Sequence, residues 1–421
     1  MRGGGGGVKA HWEVKRLRHI FKEVSIKKCG NEQQLCATQS YGVIPKKLYS
    51  YKTVEVISSD LNSFKLVKKD NFVISLRSFE GGIEHSNYQG IISPAYTILE
   101  PQVEIYSFYF KFLFKSSFFI STLNIHKIGI REGQNISYAS LQYTPIPLPP
   151  LQEQKEIAEF LDKKCEKIQN YINKKQKLIT LLQEKKQALI NEAVCGRVAC
   201  HTERSEVSTT AYKPSGIEWL GEIPKHWEIC KLNKISYFIN GYAFESSHFD
   251  YSFSIPVIRI GDIQNDKIIY HTCLMTKEQE NLKNFMIYRG DIVIALSGAT
   301  TGKFAVCNSN KKAYINQRVA IIRSDIKILK YYLSTFGFAN YIDMLCNGSA
   351  QPNISTKEVG NFKIPLPPLH EQKEIAEFLD SKVAQINSVI EKTKKQIELI
   401  KEYKNTLINE AICGRINLER K

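Results

Sequence analysis

Two stretches of the chain repeat apolar residues at steps of three and four positions, which is the spacing of an amphipathic helix. The first runs from Ile157 to Ala193 and the second from Ile375 to Ala411. Each follows an IPLPP segment, whose prolines do not fit inside a helix. Each leads into a CGR segment, whose glycine is typical of a helix end. The pattern predicts two helices of about 40 residues, each roughly 60 Å long.

The two helical stretches are copies of one another. IPLPPLQEQKEIAEFLD begins at Ile146 and IPLPPLHEQKEIAEFLD begins at Ile364, an offset of 218 residues. The same offset carries NEAVCGR onto NEAICGR, and 33 of the 52 paired positions are identical without a gap. HWEVKRL and HWEICKL also echo each other near the starts of the two halves. Identity of this extent indicates an internal duplication.

Neither predicted helix can bury its apolar seam alone, and the other copy is the obvious partner. A chain that folds back, with a globular region between the two helices, favours an antiparallel coiled coil. A seam for the helix of a different protein is the alternative, and both partners can be accommodated on different faces.

The regions that precede the two repeated helices are dissimilar in sequence and carry short strand patterns. NFVISL at Asn71–Leu76 and DIVIAL at Asp291–Leu296 are apolar runs suited to buried strands, and YTILE and RVAIIR are further candidates. Turns of small residues, RSFEGG and SGATTG, follow the first two runs. The polar segment CHTERSEVSTTAYKPSG has no periodicity and predicts a linker.

The predicted fold class is therefore mixed α/β (α+β), with two tandem domains joined by two long helices that form an antiparallel coiled coil. We expect domain 1 at residues 1–145, the first helix at 146–197, the linker at 198–216, domain 2 at 217–363, the second helix at 364–415 and a tail at 416–421.

Composition indicates what kind of partner the chain binds and in which compartment it is found. The chain has 58 Lys and Arg against 42 Asp and Glu, a formal net charge of +16, which favours a polyanionic partner such as nucleic acid. Its ten cysteines form no CxxC pair, so we expect no disulfide framework, and Cys195 and Cys413 fit small packing residues. The start, MRGGGGGVKA, lacks the apolar stretch of a signal peptide, and no run suits a membrane span. We expect a cytoplasmic protein.

Motifs that carry reaction chemistry are missing from the sequence. It contains no N/D-P-P-Y/F tetrapeptide of an amino-methyltransferase, no GxGxxG and no HExxH. GATTGKF, from Gly298, resembles a phosphate loop, but its glycines are one residue too close and Phe304 replaces the Mg²⁺-holding hydroxyl. We therefore expect a turn near DNA, no catalytic residues and no metal site. A DNA nuclease or methyltransferase with an unrecognised catalytic site is the alternative, and a scaffold that binds only protein is a third reading.

Two dissimilar domains on a stiff spacer suit a DNA site with two different halves. Elements that read one face of a duplex lie about 34–36 Å apart per helical turn, and a rod of roughly 60 Å spans such a gap. The bases between the half-sites would not be read.

Four long motifs support a family assignment: the IPLPPLQEQKEIAEFLD segment with its copy, GIEWLGEIPKHWE at Gly216–Glu228, YQGIISPAY at Tyr88–Tyr96 and GSAQPNIS at Gly348–Ser355. With these motifs the chain resembles a type I restriction-modification specificity (S, HsdS-type) subunit along nearly its whole length. One departure is the start, because only MRGGGGGVKAHWE stands where GIEWLGEIPKHWE precedes the second domain. We expect an altered or truncated start, which affects the N-terminal packing of the first domain.

The resemblance implies two target-recognition domains on double-stranded DNA, separated by an antiparallel coiled coil. It implies a non-catalytic subunit that assembles with two methyltransferase (M) subunits and, for cleavage, with restriction (R) subunits. S-adenosylmethionine, ATP and Mg²⁺ would then be used by the partner subunits, with no cofactor bound by this chain and no membrane contact.

Residue types that read bases cluster after the predicted strands and before the helices. Arg77 and Ser297 occupy matching turns, and a different residue in each half suits different target bases. Asn135 and Asn353 are shared by both halves and fit a structural role better. The DNA-binding candidates are Arg77, Ser78, His85, Tyr88, Arg131, Gln134, Ser297, Thr300, Thr301, Lys303, Asn316, Gln317, Arg318, Asn347 and Gln351.

Overall fold

The computed structural model describes residues 9–27, 29, 31–49, 61–76, 78–125, 127–128, 135–197, 211–347 and 352–416. The chain divides into two compact units. The first unit combines Met1–Gln176 with Thr393–Lys421, and the second is Lys177–Lys392. Each unit therefore holds one α/β region, the beginning of one long helix and the end of the other.

The two long helices run from Leu151 to Val194 and from Leu369 to Ile412, with 44 residues in each. Strands Pro145–Leu148 and Lys363–Leu366 precede them, as the prolines predict. Gly196 and Gly414 follow them with φ of +70° and +71°, the left-handed conformation that ends helices. The predicted seam is buried in each unit at Ile157, Leu161, Ile168, Ile172, Ile179, Ala193, Ile375, Leu379, Ile390, Ile397, Leu407 and Ala411.

In the first unit, Trp12 joins the beginning of one long helix to the end of the other. Its indole nitrogen donates to Glu153 Oε2 at 3.1 Å, in the first turn of the first helix. Its ring lies 2.9 Å from the position of a β-carbon built on Gly414, just past the second helix. The opposite ends of the two helices thus meet at one side chain, so their pairing within this unit is antiparallel, as predicted.

The first unit is built around a four-stranded antiparallel sheet with the order Phe21–Val24, Thr97–Pro101, Phe72–Ile74 and Glu84–His85. Helix Ser107–Lys115 brings buried aromatic rings against Phe21 and Phe72, and helix Ser117–Ile125 packs Phe119 against Phe114. The remaining strand pairs are Glu13–Arg16 with Pro145–Leu148, Leu35–Thr38 with Gly42–Pro45, Lys65–Val67 with Gly90–Ile92, and Lys127–Ile128 with Asn135–Ile136. The short helices are Ser78–Gly81 and Tyr138–Leu141, with 3₁₀ turns at Leu17–His19, Lys46–Leu48 and Leu61–Ser63.

The second unit has a sheet of the same kind, with the order Tyr237–Asn240, Val319–Arg323, Ile292–Ala295 and Phe304–Val306. Beside it lies a three-stranded sheet with the order Leu274–Thr276, Ile255–Ile258 and Tyr314–Ile315, the last two parallel. The remaining pairs are Ile263–Gln264 with Lys267–Ile268, Glu228–Lys231 with Lys363–Leu366, and Tyr212–Pro214 with Glu222–Pro224. Its helices are Leu329–Leu333, Phe336–Cys346 and Thr356–Gly360, with 3₁₀ turns at Leu232–Lys234, Ser246–His248, Ile260–Asp262, Tyr270–Thr272, Glu280–Phe285 and Gly298–Thr300.

The predicted strands are confirmed with trimmed ends at Phe72–Ile74, Ile292–Ala295 and Val319–Arg323, and with a shift of one residue at Thr97–Pro101. The predicted linker differs in its last part, because Tyr212–Pro214 forms a strand. The physical reason is a hairpin in which this strand pairs with Glu222–Pro224 of the GIEWLGEIPKHWE lead-in, and Ser215 N donates to Gly221 O at 2.8 Å. Residues 198–210 of that linker lie outside the described part of the chain.

Candidate nucleic-acid interface

One end of the main sheet in the second unit gathers seven of the nine DNA-binding residues predicted for that unit. The antiparallel register places Ala295 opposite Val319 and Ala320 opposite Asn240. The residues that follow Ala295, those that precede Val319 and the last residue of Tyr237–Asn240 therefore leave the sheet at the same end. We call this set of strand ends the reading edge of the second unit; it comprises Asn240, Ser297, Thr300, Thr301, Lys303, Asn316, Gln317, Arg318 and Asn353.

The turn that contains GATTGKF is held at the reading edge by backbone contacts. Gly298 N donates to Pro352 O at 2.9 Å, and Thr301 Oγ1 donates to Gly298 O at 2.7 Å. Lys303 N donates to Thr300 O at 2.9 Å and thereby closes the turn. A strand, Phe304–Val306, follows it, whereas a phosphate loop leads into a helix. The segment is therefore a turn, as the sequence predicts.

The candidates at this edge differ in how far their side chains reach. Lys303, Gln317 and Arg318 are exposed, and Asn316 is half-buried. The hydroxyl oxygens of Ser297 and Thr300 are buried, so these two side chains do not offer a surface contact. The hydroxyl of Thr301 is within hydrogen-bond distance of Gly298 O and Pro352 O, so it is engaged within the turn.

A further candidate of the second unit follows a helix that packs against the same turn. Ile342, in the helix Phe336–Cys346, lies 2.6 Å from the position of a β-carbon built on Gly302. Asn347 follows that helix and is exposed. Gln351 lies outside the described residues. Asn353, for which the sequence predicts a structural role, forms a β-bridge with Ser297 and is exposed.

Two further residues lie at the same end and are absent from the predicted DNA-binding residues. Asn240 ends its strand beside Ala320 and is exposed. Arg259 directly follows the strand Ile255–Ile258, which runs parallel to Tyr314–Ile315 and therefore ends beside Asn316. The signal in the sequence is a polar residue after an apolar run, but neither run is among the predicted strands.

In the first unit the corresponding end follows the strand Phe72–Ile74. Arg77 lies outside the described residues, so its position stays a prediction. Ser78 is only 1% exposed, and its Oγ accepts a hydrogen bond from Ser75 N at 2.8 Å. Its hydroxyl therefore holds the turn, and our interpretation of Ser78 as a base contact is corrected.

His85 also belongs to the interior of the first unit. It pairs with Phe72, at the opposite end of the strand from Ser75, and its side chain is 2% exposed. Burial lowers the pKa of the imidazole, against the opposing hydrogen bond from Nε2 to Asp70 Oδ1 at 3.0 Å. A buried imidazole that is bonded to a neighbouring carboxylate does not read bases, so this candidate is also corrected.

The other first-unit candidates fall into two groups. Tyr88 follows the Ser86 turn, and 37% of its surface reaches solvent. Arg131 and Gln134 lie outside the described residues. Asn135 begins the strand Asn135–Ile136, which makes it part of the fold. Tyr88 is thus the first-unit candidate that the described structure leaves accessible.

The described residues hold no group of three or more His, Cys, Asp and Glu side chains that could bind a metal ion. Burial raises the pKa of the Cys195 and Cys413 thiols, and both side chains are buried, as expected for small packing residues. Within the same described part of the chain, no helix combines the length and apolar character that crossing a bilayer demands.

The fold is a duplicated α/β unit with two long helices, and a family comparison identifies its class. The family described as "Type I restriction modification DNA specificity domain" matches twice, over residues 9–183 and 224–399. Each match includes one α/β region and most of the long helix that follows it. The protein thus contains two DNA-specificity domains in tandem. The chain belongs to the family of type I restriction-modification specificity subunits.

Individual relatives agree with this assignment. The MjaVIII type I restriction enzyme specificity subunit of Methanocaldococcus jannaschii is 27% identical, over 98% of this chain and 94% of that protein. The EcoBI specificity subunit of Escherichia coli is 24% identical, over 72% of this chain and 64% of that protein.

Two solved structures share the fold. A chain from a study of complex assembly and conformational transition in the type I R-M system superposes with a TM-score of 0.70 at 16% identity, covering 97% of this chain and 99% of that one. The HsdS subunit from Thermoanaerobacter tengcongensis superposes with a TM-score of 0.53 at 17% identity, covering 97% and 98%.

Proposed function

We propose that this specificity subunit reads an asymmetric DNA site in two parts, with one half-site for each unit and unread bases between them. The observation that carries the proposal is the reading edge of the second unit. There Lys303, Gln317, Arg318 and Asn353 expose donors and acceptors of the kind that reads base edges in the major groove.

The two units would read different bases because their exposed chemistry differs. Among the described candidates, Tyr88 is the accessible one in the first unit, whereas cationic and amide side chains dominate in the second. A net charge of +16 supports binding to the phosphate backbone in both. Backbone contacts position a protein on DNA, and base contacts select the sequence.

The chain would act without a reaction of its own and direct partner subunits to the site. Those partners would be two methyltransferase subunits and, for cleavage, restriction subunits, in the cytoplasm. S-adenosylmethionine, ATP and Mg²⁺ would be bound by the partners. Membership of a specificity-subunit family and a sequence free of recognised catalytic motifs support this division of labour.

The test is to map the methylated positions in DNA that is treated with the complex of this chain and its methyltransferase subunits. Exchanging residues 1–145 for those of another family member should change one half-site and leave the other and the spacing unchanged. A change in both half-sites would contradict the proposal. So would turnover by the purified chain alone with S-adenosylmethionine or Mg²⁺.

A further inference from the structure

Arg259 leaves its strand next to a residue of the reading edge. Strand Ile255–Ile258 pairs in parallel with Tyr314–Ile315, with Ile258 opposite Ile315. Asn316 N donates to Ile258 O at 2.9 Å. Because parallel strands end at the same edge, the residues that follow them, Arg259 and Asn316, lie side by side.

The residues after Arg259 pack against a second part of the same edge. The 3₁₀ turn Ile260–Asp262 contacts the turn Gly298–Thr300. A β-carbon built on Gly298 would lie 3.4 Å from Ile260 Cδ1, which is van der Waals contact. Arg259 is therefore flanked by the Asn316 segment and by the turn that carries Lys303, although it is distant from both in sequence.

The guanidinium of Arg259 is held in place before any DNA binds. Asp262 Oδ2 accepts from Arg259 N at 2.9 Å and from Arg259 Nε at 3.3 Å. Arg259 Nη2 donates to Thr272 O at 2.8 Å, and Thr272 Oγ1 donates to Asp262 Oδ1 at 2.7 Å. The Asp262 side chain is 3% exposed, so this carboxylate is a buried anchor.

Despite these contacts, Arg259 still reaches solvent. Its side chain is 40% exposed, and the contacts above use two of the five N–H donors of a guanidinium. A guanidinium held in one orientation loses little conformational entropy when it binds, and its remaining donors match O6 and N7 of guanine.

We propose that Arg259 reads a guanine in the second half-site through the major groove, with Asp262 as its positioning residue. The proposal rests on the proposed function, because it requires the second unit to read one half-site. It goes beyond that function by naming the base that is read, the DNA groove and the residue that reads it. Loss of a good bidentate contact lowers discrimination at that base pair on the order of 10- to 100-fold.

The experiment measures binding of the complex with its methyltransferase subunits to DNA in which the second half-site is randomised. R259A should lose a guanine preference at one position about 10- to 100-fold, and R259K should lose it as well, because a lysine lacks the planar fork. D262N should weaken the same preference without creating another. The matched control is R289A, since Arg289 is exposed and precedes the strand Ile292–Ala295 at its other end.

A phosphate contact would give a different result and would overturn the assignment. R259K would then keep the base preferences, and R259A would weaken all sequences equally and lower the slope of log affinity against log salt by about one. Melting temperatures identify any variant that fails to fold. R259K keeps a cation beside Asp262, so it decides the question if R259A unfolds.

Failure of this inference is distinct from failure of the proposed function. If the wild-type complex reads two half-sites and R259K keeps the same base preferences in both, the role proposed for Arg259 is wrong and the proposed function stands. If the wild-type complex shows no second half-site at all, the proposed function itself is contradicted.

Discussion

Trp227 covers Gly196, so that a β-carbon built on this glycine would lie 3.0 Å from the indole ring. The indole nitrogen donates to Glu371 Oε2 at 2.8 Å. One side chain in the second unit therefore joins the end of the first long helix to the beginning of the second. Trp12 makes the corresponding contacts in the first unit with Gly414 and a glutamate. The tryptophan contacts that join the ends of the helices are therefore repeated in both units, as the helices are.

Replacing Gly196 by alanine should destabilise the second unit more than its backbone conformation alone requires. A β-carbon there would lie 2.6 Å from Pro224 Cγ, closer than real contacts allow. The control is G216A, because Gly216 has the same φ of +70° with no atom within 4 Å of a β-carbon. We expect G216A to cost about 1–2 kcal/mol and G196A to cost more. Equal losses in thermal unfolding would contradict the close approach.

W227F should test the polar half of the same joint. Phenylalanine keeps an aromatic ring but removes the N–H that donates to the Glu371 carboxylate. Hydrogen bonds to charged groups contribute about 1.5–3 kcal/mol, so a loss of this size is expected in the unfolding free energy. W219F is the control, because Trp219 is held by stacking on Phe362 at 5.6 Å between ring centroids. A loss no greater in W227F than in W219F would count against the hydrogen bond.

Glu84 should make the stability of the first unit fall as pH rises. Burial raises the pKa of this carboxyl to about 7, even though Lys115 forms an ion pair with it. The folded state then holds a proton that the unfolded chain releases near its ordinary pKa of 4.5. Stability from this group is therefore present below about pH 4.5 and lost between there and pH 7, by at most about 3 kcal/mol.

The measurement is the melting temperature of wild type and E84Q between pH 4.5 and pH 8. E84Q cannot ionise, so we expect it to gain stability relative to wild type as pH rises through this window. The lowered pKa of His85 acts in the opposite direction but is present in both proteins, so the difference between them isolates Glu84. A difference that does not change with pH would refute the shifted pKa.

The exposed candidates should act on one half-site each. Q317A and R318A should relax base preference in the second half-site, and Y88A should affect the first. For a direct base contact the expected cost is about 1–3 kcal/mol at one base pair. S78A is the control, since its hydroxyl holds a buried turn. If Q317A or R318A changed the base preference in the first half-site, the assignment of one half-site to each unit would be contradicted.

Shortening both long helices should change the spacing of the site and leave its bases alone. Removing 14 residues from each helix in register takes away about 21 Å of rod, equivalent to about six base pairs at 3.4 Å per pair. The methylated positions should then lie closer together by about that number. If the same bases are read at the original spacing, the helices do not set the distance.

Sequence patterns predicted the elements well and the environment of single side chains poorly. The strands at Phe72–Ile74 and Ile292–Ala295 follow from unbroken apolar runs. Ser78 and His85 looked equally suitable for DNA because they stand after such runs and are polar. Whether a polar side chain turns outwards or satisfies a neighbour depends on what the fold places beside it, and that information is not local.

By itself, the sequence determined the duplication, the two long helices and the family, because identity at a constant offset and a helical period are properties of neighbouring residues. The tertiary structure alone decided which strand ends form the reading edge. Ile255–Ile258 and Tyr314–Ile315 are far apart in the chain, and their parallel pairing is what places Arg259 beside Asn316. Pairing between distant strands depends on packing of the whole unit, so no local pattern records it.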